Sequence, residues 1–257
     1  MKLLFLGTGT SVGVPMVGCR CPVCTSDNPR NHRARASVLI RRGGARILID
    51  TTPEFRVQAL RFGIDRVDAV LFTHTHADHI FGFDDLRAFT MLNGRPVPVY
   101  GTPDTLAQIR NIFSYVFRPV EQPGGSKPEV EVHEVNGRFD AAGLTFTPVP
   151  VLHGRLPVTG YRVGGLAYVT DVSHIPDESM ELLRGLDVLV LGALRFRPHP
   201  THMNIEQALA VVEELKPRRA YFTHISHEVE HEAANQLLPP HVRLAHDGLE
   251  VSVEEEG

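Results

Sequence analysis

Apolar runs recur along the chain with turn signals between them. KLLFLG, SVLIRR and RILIDT read as β-strands, the last two joined through Gly43-Gly44 as a hairpin. The period then changes. In TTPEFRVQALRFG a Thr cap, an early Pro53 and Glu54, apolar residues at helical spacing and Gly63 as a stop predict a helix. Strand VDAVLFT follows, then a His-rich loop, a helix around DDLRAFTML ending at Asn93-Gly94, strand PVPVYG and a helix around PDTLAQIRNIF. The Pro/Gly-rich stretch RPVEQPGGSKP separates these from a second set of strands, EVEVHEV, LTFTPVPV, TGYRVG and LAYVTD. Helix DESMELLRG, strand DVLVLGAL, helix IEQALAVVEEL, strand RAYFTHI, a helix near HEAANQLL and the strands VRLAHDG and LEVSV complete the pattern, with Asp247-Gly248 as a hairpin turn between the last two. Two β-rich sets with helices between and after them predict an α/β fold of two packed mixed sheets, covered by helices on their outer faces.

Composition narrows the class. At 257 residues, 42% hydrophobic and 22% charged, the chain can bury one large core. No charge block, repeat or low-complexity linker divides it, so residues 1–257 are expected to form a single domain. The apolar run before Gly7 is too short for a signal peptide, and no stretch approaches a membrane span. Three cysteines within VGCRCPVC argue for a metal clip in a reducing compartment, not a secreted disulfide framework, so a cytoplasmic location is expected. A net charge of −4 gives no general attraction to nucleic acid. Arg30, Arg33, Arg35, Arg41, Arg42 and Arg46 form a local basic cluster, which reads as a solvated arginine face on a hairpin ahead of a phosphate-binding patch.

The densest chemistry lies in LFTHTHADHIFG. A strand fixes the backbone up to Thr73, and His74, His76, Asp78 and His79 leave from the loop beyond it. Four imidazole or carboxylate groups so placed can turn one pair toward one metal and the other pair toward a neighbour. Cys19, Cys21 and Cys24, in the pattern C-x-C-x-x-C, supply three of the four ligands that a closed tetrahedral zinc site needs.

On H-x-H-x-D-H the chain resembles the metallo-β-lactamase fold hydrolases, a four-layer αβ/βα sandwich. The family's later ligands find matches in His153 of PVPVLHG, Asp171 of LAYVTDVS and His224 of YFTHIS, each closing an apolar strand. The resemblance implies one metal on His74, His76 and His153, a second on Asp78, His79 and His224, and Asp171 bridging both. No Cys stands among these positions, unlike a true β-lactamase of this fold, and His76 stands where the flavodiiron branch has Glu. Seventeen residues separate His153 from Asp171, leaving no room for the long arm of a transfer-RNA 3′-processing nuclease. The cysteines point to the branch of the PhnP-type phosphoribosyl cyclic phosphodiesterases. There a structural zinc joins the C-x-C-x-x-C to a His just past the last catalytic ligand, here His227 of THISHE. The clip would hold a loop spanning about residues 7–36.

Two divalent ions about 3.5 to 4 Å apart can share a bridging hydroxide that is nucleophilic at neutral pH and can neutralise phosphodiester oxygens. The expected activity is therefore a dinuclear metal-dependent hydrolase acting on a cyclic or small phosphodiester, with Asp78 and Asp171 holding the metals. In RFRPHPTHMN the resemblance assigns His202 as general acid or phosphate contact, with His199 in reserve. Zn, Mn and Fe all suit imidazole and carboxylate ligands. A nuclease, a PqqB-like protein of quinone-cofactor biosynthesis and a non-enzymatic zinc-stabilised nucleic-acid-binding module are the competing readings. A small phosphodiester is the expected partner; nucleic acid is not favoured, a membrane is excluded and a homodimer stays open.

Other features carry less. GTGTSVG places its third glycine one position late for a dinucleotide fingerprint, and its glycines are expected to let the chain turn near the metal centre. Asp50 closes strand RILID as an expected hydrogen-bonding support, and Asp84 and Asp85 as expected helix caps. His32, His133, His174, His231, His241 and His246 have no motif context.

Overall fold

In the computed structural model, residues 1–119 and 126–254 are described. Part of the Pro/Gly-rich stretch therefore lies outside the described residues. Two seven-stranded sheets form the centre of the molecule. The first contains β1 (Lys2–Gly7), β2 (Ser37–Arg42), β3 (Ala45–Ile49), β4 (Ala69–Leu71), β5 (Val97–Gly101) and β6 (Val130–Glu134). The second contains β7 (Phe139–Ala141), β8 (Leu144–His153), β9 (Leu156–Val163), β10 (Leu166–Val169), β11 (Val188–Gly192), β12 (Arg219–Thr223) and β13 (Val242–Leu244). The last strand, β14 (Glu250–Ser252), returns to the first sheet and pairs antiparallel with β1. Strands β3 to β6 run parallel, as do β10 to β13.

Helices cover both outer faces. Against the first sheet lie α1 (Phe55–Arg61), the short α2 (Ala77–Ile80), α3 (Leu86–Asn93) and α4 (Pro103–Ile112); against the second lie α5 (Asp177–Leu182), α6 (Ile205–Leu215) and α7 (His231–Leu237). A strand sandwiched in this way is buried on both faces and reads as a continuous apolar run. In β11, Val188 and Val190 enter the core between the sheets, while Leu189 and Leu191 face the helices. β1 does the same with Leu3 and Phe5 inward and Leu4 and Leu6 outward. The expected four-layer sandwich is the observed fold.

Several local expectations are corrected. EVEVHEV joins the first sheet as its edge strand beside β5, not the second set, because its pairing is a non-local parallel one. The Asp247-Gly248 turn is no hairpin: β13 and β14 lie in different sheets, and Asp247 ties the crossover down by accepting from Thr8 Oγ1 and the Ala34 N–H. α1 begins only at Phe55, and its N-cap residue Glu54 makes no side-chain cap; Thr52 instead bonds Gln58 across the first turn. Asp85 stands at the start of α3 without capping that helix; its carboxyl instead takes the backbone N–H of Arg56 in the first turn of α1, and Asp84 takes the Tyr115 hydroxyl and Arg87.

One arginine of the cluster departs from the expected solvated face. Arg33 is 2% exposed and donates to Thr8 Oγ1, the Ala245 carbonyl and His231 Nδ1. Arg30 pairs with Glu232, Arg35 with Glu54, Arg41 with Glu250 and Arg46 with Asp65. The glycines of GTGTSVG serve a close backbone approach. A Cβ on Gly7 would lie 2.0 Å from the Arg35 carbonyl, and one on Gly9 2.8 Å from that of Arg33. The segment they free runs between residues 33–35 and Ile225, next to His224.

Candidate metal centre

The site lies outside the carboxyl ends of the parallel strands, where the chain must leave each strand and turn. Asp50 follows β3, His74 follows β4, Asp171 follows β10 and His224 follows β12. Asp50, Asp171 and His224 adopt positive φ values of 64°, 48° and 59°, an unfavourable backbone for residues other than glycine. Three such residues in one place mark a site where local strain is held by its surroundings. Asp78 and His79 do not lie in a loop as the sequence suggested but on α2, one turn of helix that faces both inward.

The structure brings the seven expected dinuclear ligands together. Ligand atoms of His74, His76 and Asp171 lie within 4.8 Å of one another, as do those of Asp78, His79 and His224, and those of His153, Asp171 and His202. His79 Nε2 stands 3.2 Å from both Asp78 and Asp171, and His224 Nε2 3.3 Å from Asp171. His74, Asp171 and His224 are each 2% exposed and His79 is fully buried, whereas His76 opens to solvent.

Supporting contacts fix the rings. Asp50 is fully buried and accepts from the Thr73 N–H at 2.9 Å, the Thr73 hydroxyl at 2.7 Å and His79 Nδ1 at 2.7 Å. That last bond leaves His79 Nε2 facing the cluster. Thr73 Oγ1 also contacts His74 Nδ1 at 3.0 Å, and His153 Nδ1 donates to the Thr201 carbonyl at 2.6 Å. Asp50 thus has the supporting role expected of it. Thr73 and Thr201 were not legible, since their work depends on contacts made only in the fold.

The donor set fits metal. Among the described residues, His74 Nε2, His79 Nε2 and both nitrogens of His224 are buried without a hydrogen-bond partner. Buried polar atoms are rarely left so, and here they converge on two carboxylates, as ligands of divalent cations do. The electrostatics agree. Burial would lift the carboxyl of Asp171, yet the facing His224 and His79 hold it well below the usual range. Burial opposes a charge on His79, but Asp171, Asp78 and Asp50 raise its pKa well above normal, the response of a ring placed where a cation belongs.

A second cluster joins distant parts of the chain. Cys19 and Cys21 Sγ lie 3.4 and 3.3 Å from His227 Nδ1, and Cys24 completes a group whose ligand atoms are all within 4.8 Å. Hydrogen bonds, chiefly from His227, hold the Cys21 thiol down to about 6, whereas burial pushes Cys24 up to about 11. Three thiols and one imidazole at this spacing suit a closed Cys₃His zinc site.

His202 lies at the mouth of the main cluster, its Nδ1 4.0 Å from Asp171, with ring centroids 4.3 Å from His153 and 4.9 Å from His224. His199 is farther out, its ring 5.2 Å from that of His202. Arg195 and Arg197 do not face the site freely: both bind Glu228, a residue that sequence reasoning passed over.

Residues 45–225 match the beta-lactamase superfamily domain. The chain belongs to that superfamily, with the metallo-β-lactamase fold of its hydrolases. A diphosphatase from the PhnP family has a crystal structure that superposes with a TM-score of 0.92 at 46% identity, covering 99% of this chain and 98% of that one. Zn²⁺-bound PqqB from Methylobacterium extorquens shares the fold, with a TM-score of 0.79 at 21% identity over 98% of this chain and all of the other. An octanoyltransferase of Porphyromonas gingivalis is 42% identical over the full length of this chain, which spans 52% of that longer protein.

Proposed function

We propose that this chain is a dinuclear metal-dependent phosphodiesterase acting on a cyclic or small phosphodiester. The observation that carries the proposal is the convergence of unpartnered, buried imidazole nitrogens on Asp78 and Asp171. The 46% identity to a PhnP-family diphosphatase supports phosphorus as the reacting centre. In this reading His74, His76, His153, Asp78, His79, His224 and Asp171 would hold two ions, and Cys19, Cys21, Cys24 and His227 would hold a structural zinc. Two divalent ions there would supply a nucleophile at neutral pH and charge neutralisation for the phosphate.

The chain's own residues do the rest. Asp50 and the Thr201 carbonyl set the ring faces of His79 and His153. Burial, reinforced by His224, pushes His202 down to about 3, so its imidazole is neutral in the free protein. A neutral ring donates one N–H to a phosphate oxygen, and the negative charge of a bound phosphodiester raises its proton affinity toward that of a general acid. His76 and His199 line the open side through which a substrate enters.

The nuclease reading loses its motive. Of the arginines that suggested a phosphate-binding surface, Arg33 is buried and Arg30, Arg35, Arg41 and Arg46 are paired with carboxylates. Arg195 and Arg197 are likewise tied to Glu228, which favours a compact substrate over a polyanion.

A substrate panel tests the proposal. Protein stripped of metal and reloaded with Zn, Mn or Fe(II) is assayed on a cyclic alkyl phosphodiester, bis-p-nitrophenyl phosphate, a phosphomonoester, a diphosphate, single-stranded RNA and an octanoyl thioester. The phosphodiesters should be turned over fastest and only after metal is restored. Faster thioester cleavage would transfer the reading to acyl chemistry, as the name of the longer relative suggests.

A further inference from the structure

We propose that Glu228 and Arg195 are positioning residues that fix the loop carrying His199 and His202 and couple it to the Cys₃His cluster. His227 of that cluster is followed directly by Glu228, whose N–H is held by Ser226 Oγ at 3.2 Å. One carboxylate oxygen of Glu228 accepts from Arg195 Nη1 at 2.7 Å. The other accepts from Arg197 Nε at 2.9 Å and Nη2 at 2.8 Å. Arg195 then reaches into the loop: Nε donates to the Arg197 carbonyl at 3.3 Å and Nη2 to the Pro198 carbonyl at 3.1 Å. A single guanidinium therefore spans the clip side and the two residues that precede His199. Its planar fork suits this use, and a lysine could not copy it.

The two arms differ in shelter. The side chains of Arg195 and Glu228 are 22% and 28% exposed, while Arg197 is 72% exposed and braces no carbonyl of the loop. Exposed ion pairs add little to stability, so the consequence of the sheltered pair is local geometry. Beyond Pro198 the loop is anchored by Thr201, whose N–H meets His199 Nδ1 and whose carbonyl accepts from His153. At its start, the Ser226 N–H donates to the Leu194 carbonyl. The clip-side segment 226–228 thus holds the loop at both its first residue and its bend. A displacement there reaches His202, and misplacement by about 1 Å costs on the order of 10²-fold in rate.

The kinetic half of this proposal rests on the phosphodiesterase reading; the structural half does not. Glu228→Ala and Arg195→Met are prepared as full-length, metal-loaded protein, with Arg197→Met as the control. Hydrogen exchange of the hydrogen-bonded amides that frame the loop, those of Leu194, Thr201, Met203 and Ile205, should accelerate by about tenfold in the first two and stay unchanged in the control, with metal content equal in all three. Turnover of an alkyl phosphodiester should fall by about tenfold or more at similar KM. That loss should vanish when Glu228→Ala is made in a His202→Ala background. Unaltered exchange in both variants would overturn the positioning role. An equal kinetic loss with and without His202 would overturn the route through that residue. If no phosphodiester is turned over by the wild type, the functional reading fails, and exchange alone decides the positioning.

Discussion

Asp50→Asn is the most revealing single change near the centre. The substitution keeps size and shape, and Asn tolerates the left-handed backbone, so the φ of 64° adds no new strain. The hydrogen bonds cannot survive it. Asp50 presents one oxygen to the Thr73 N–H and the other to both the Thr73 hydroxyl and His79 Nδ1. If the Asn oxygen keeps Thr73 N–H, its NH₂ faces His79 Nδ1, which must then accept. The ring proton moves to Nε2, into the 3.2 Å space shared with Asp78 and Asp171. If the amide flips, two donors meet at Thr73, and one buried donor left unpaired costs about 1–3 kcal/mol. Loss of such a support weakens metal binding by about 10–100-fold, or about 1.4–2.7 kcal/mol. Competitive chelator titration of Asp50→Asn and wild type measures the difference, with thermal unfolding as a control for folding. Equal metal affinity in the two proteins would refute the claim that Asp50 sets the His79 tautomer.

Three further outcomes are expected. Cys21→Ser should lose one zinc and lower the unfolding temperature while the dinuclear ligands keep their ions, checked by elemental analysis and calorimetry; unchanged zinc content would show that the cluster has another role. His202→Ala should keep metal yet slow an alkyl phosphodiester by roughly 10²- to 10⁴-fold, with a far smaller loss on a p-nitrophenyl ester, whose phenolate leaves without a proton. Equal losses on the two esters would leave phosphate binding as the better account. Burial, with Arg33 beside it, holds His231 down to about 4 against 6.5 for an ordinary imidazole. The folded state therefore binds fewer protons than the unfolded one between these values, so this contribution to stability is present above pH 6.5 and lost as pH falls toward 4. In denaturant titrations across that range His231→Gln should show a shallower acid loss than wild type, and parallel curves would contradict the assignment.

Much of the site was legible because ligands of this kind close apolar strands. β4 and β10 are uninterrupted hydrophobic runs and β12 carries the apolar stretch 220–222, and His74, Asp171 and His224 stand just past their ends, so pattern and chemistry coincide. The Cys₃His partners were legible through a resemblance, since no local pattern joins Cys21 to His227 across 206 positions. What was not legible depends on pairing between distant segments. β6 has the alternation of any edge strand, and nothing in EVEVHEV states which sheet it joins. Arg33 reads as one of six surface arginines, yet its partner carbonyl at Ala245 lies 212 residues away. Glu228 and Thr201 look like ordinary loop residues until the fold brings Arg195 and His153 to them.

Metal stoichiometry and turnover measured on the same sample test the central claim most directly. Metal-free protein is titrated with Zn or Mn, and bound ions per chain are counted at each step alongside hydrolysis of a cyclic phosphodiester. The account predicts saturation near three ions per chain, one of them lost in Cys21→Ser, with activity appearing as the two ions of the dinuclear site are filled. Saturation at a single ion, or phosphodiester turnover that persists in fully chelated protein, would contradict it.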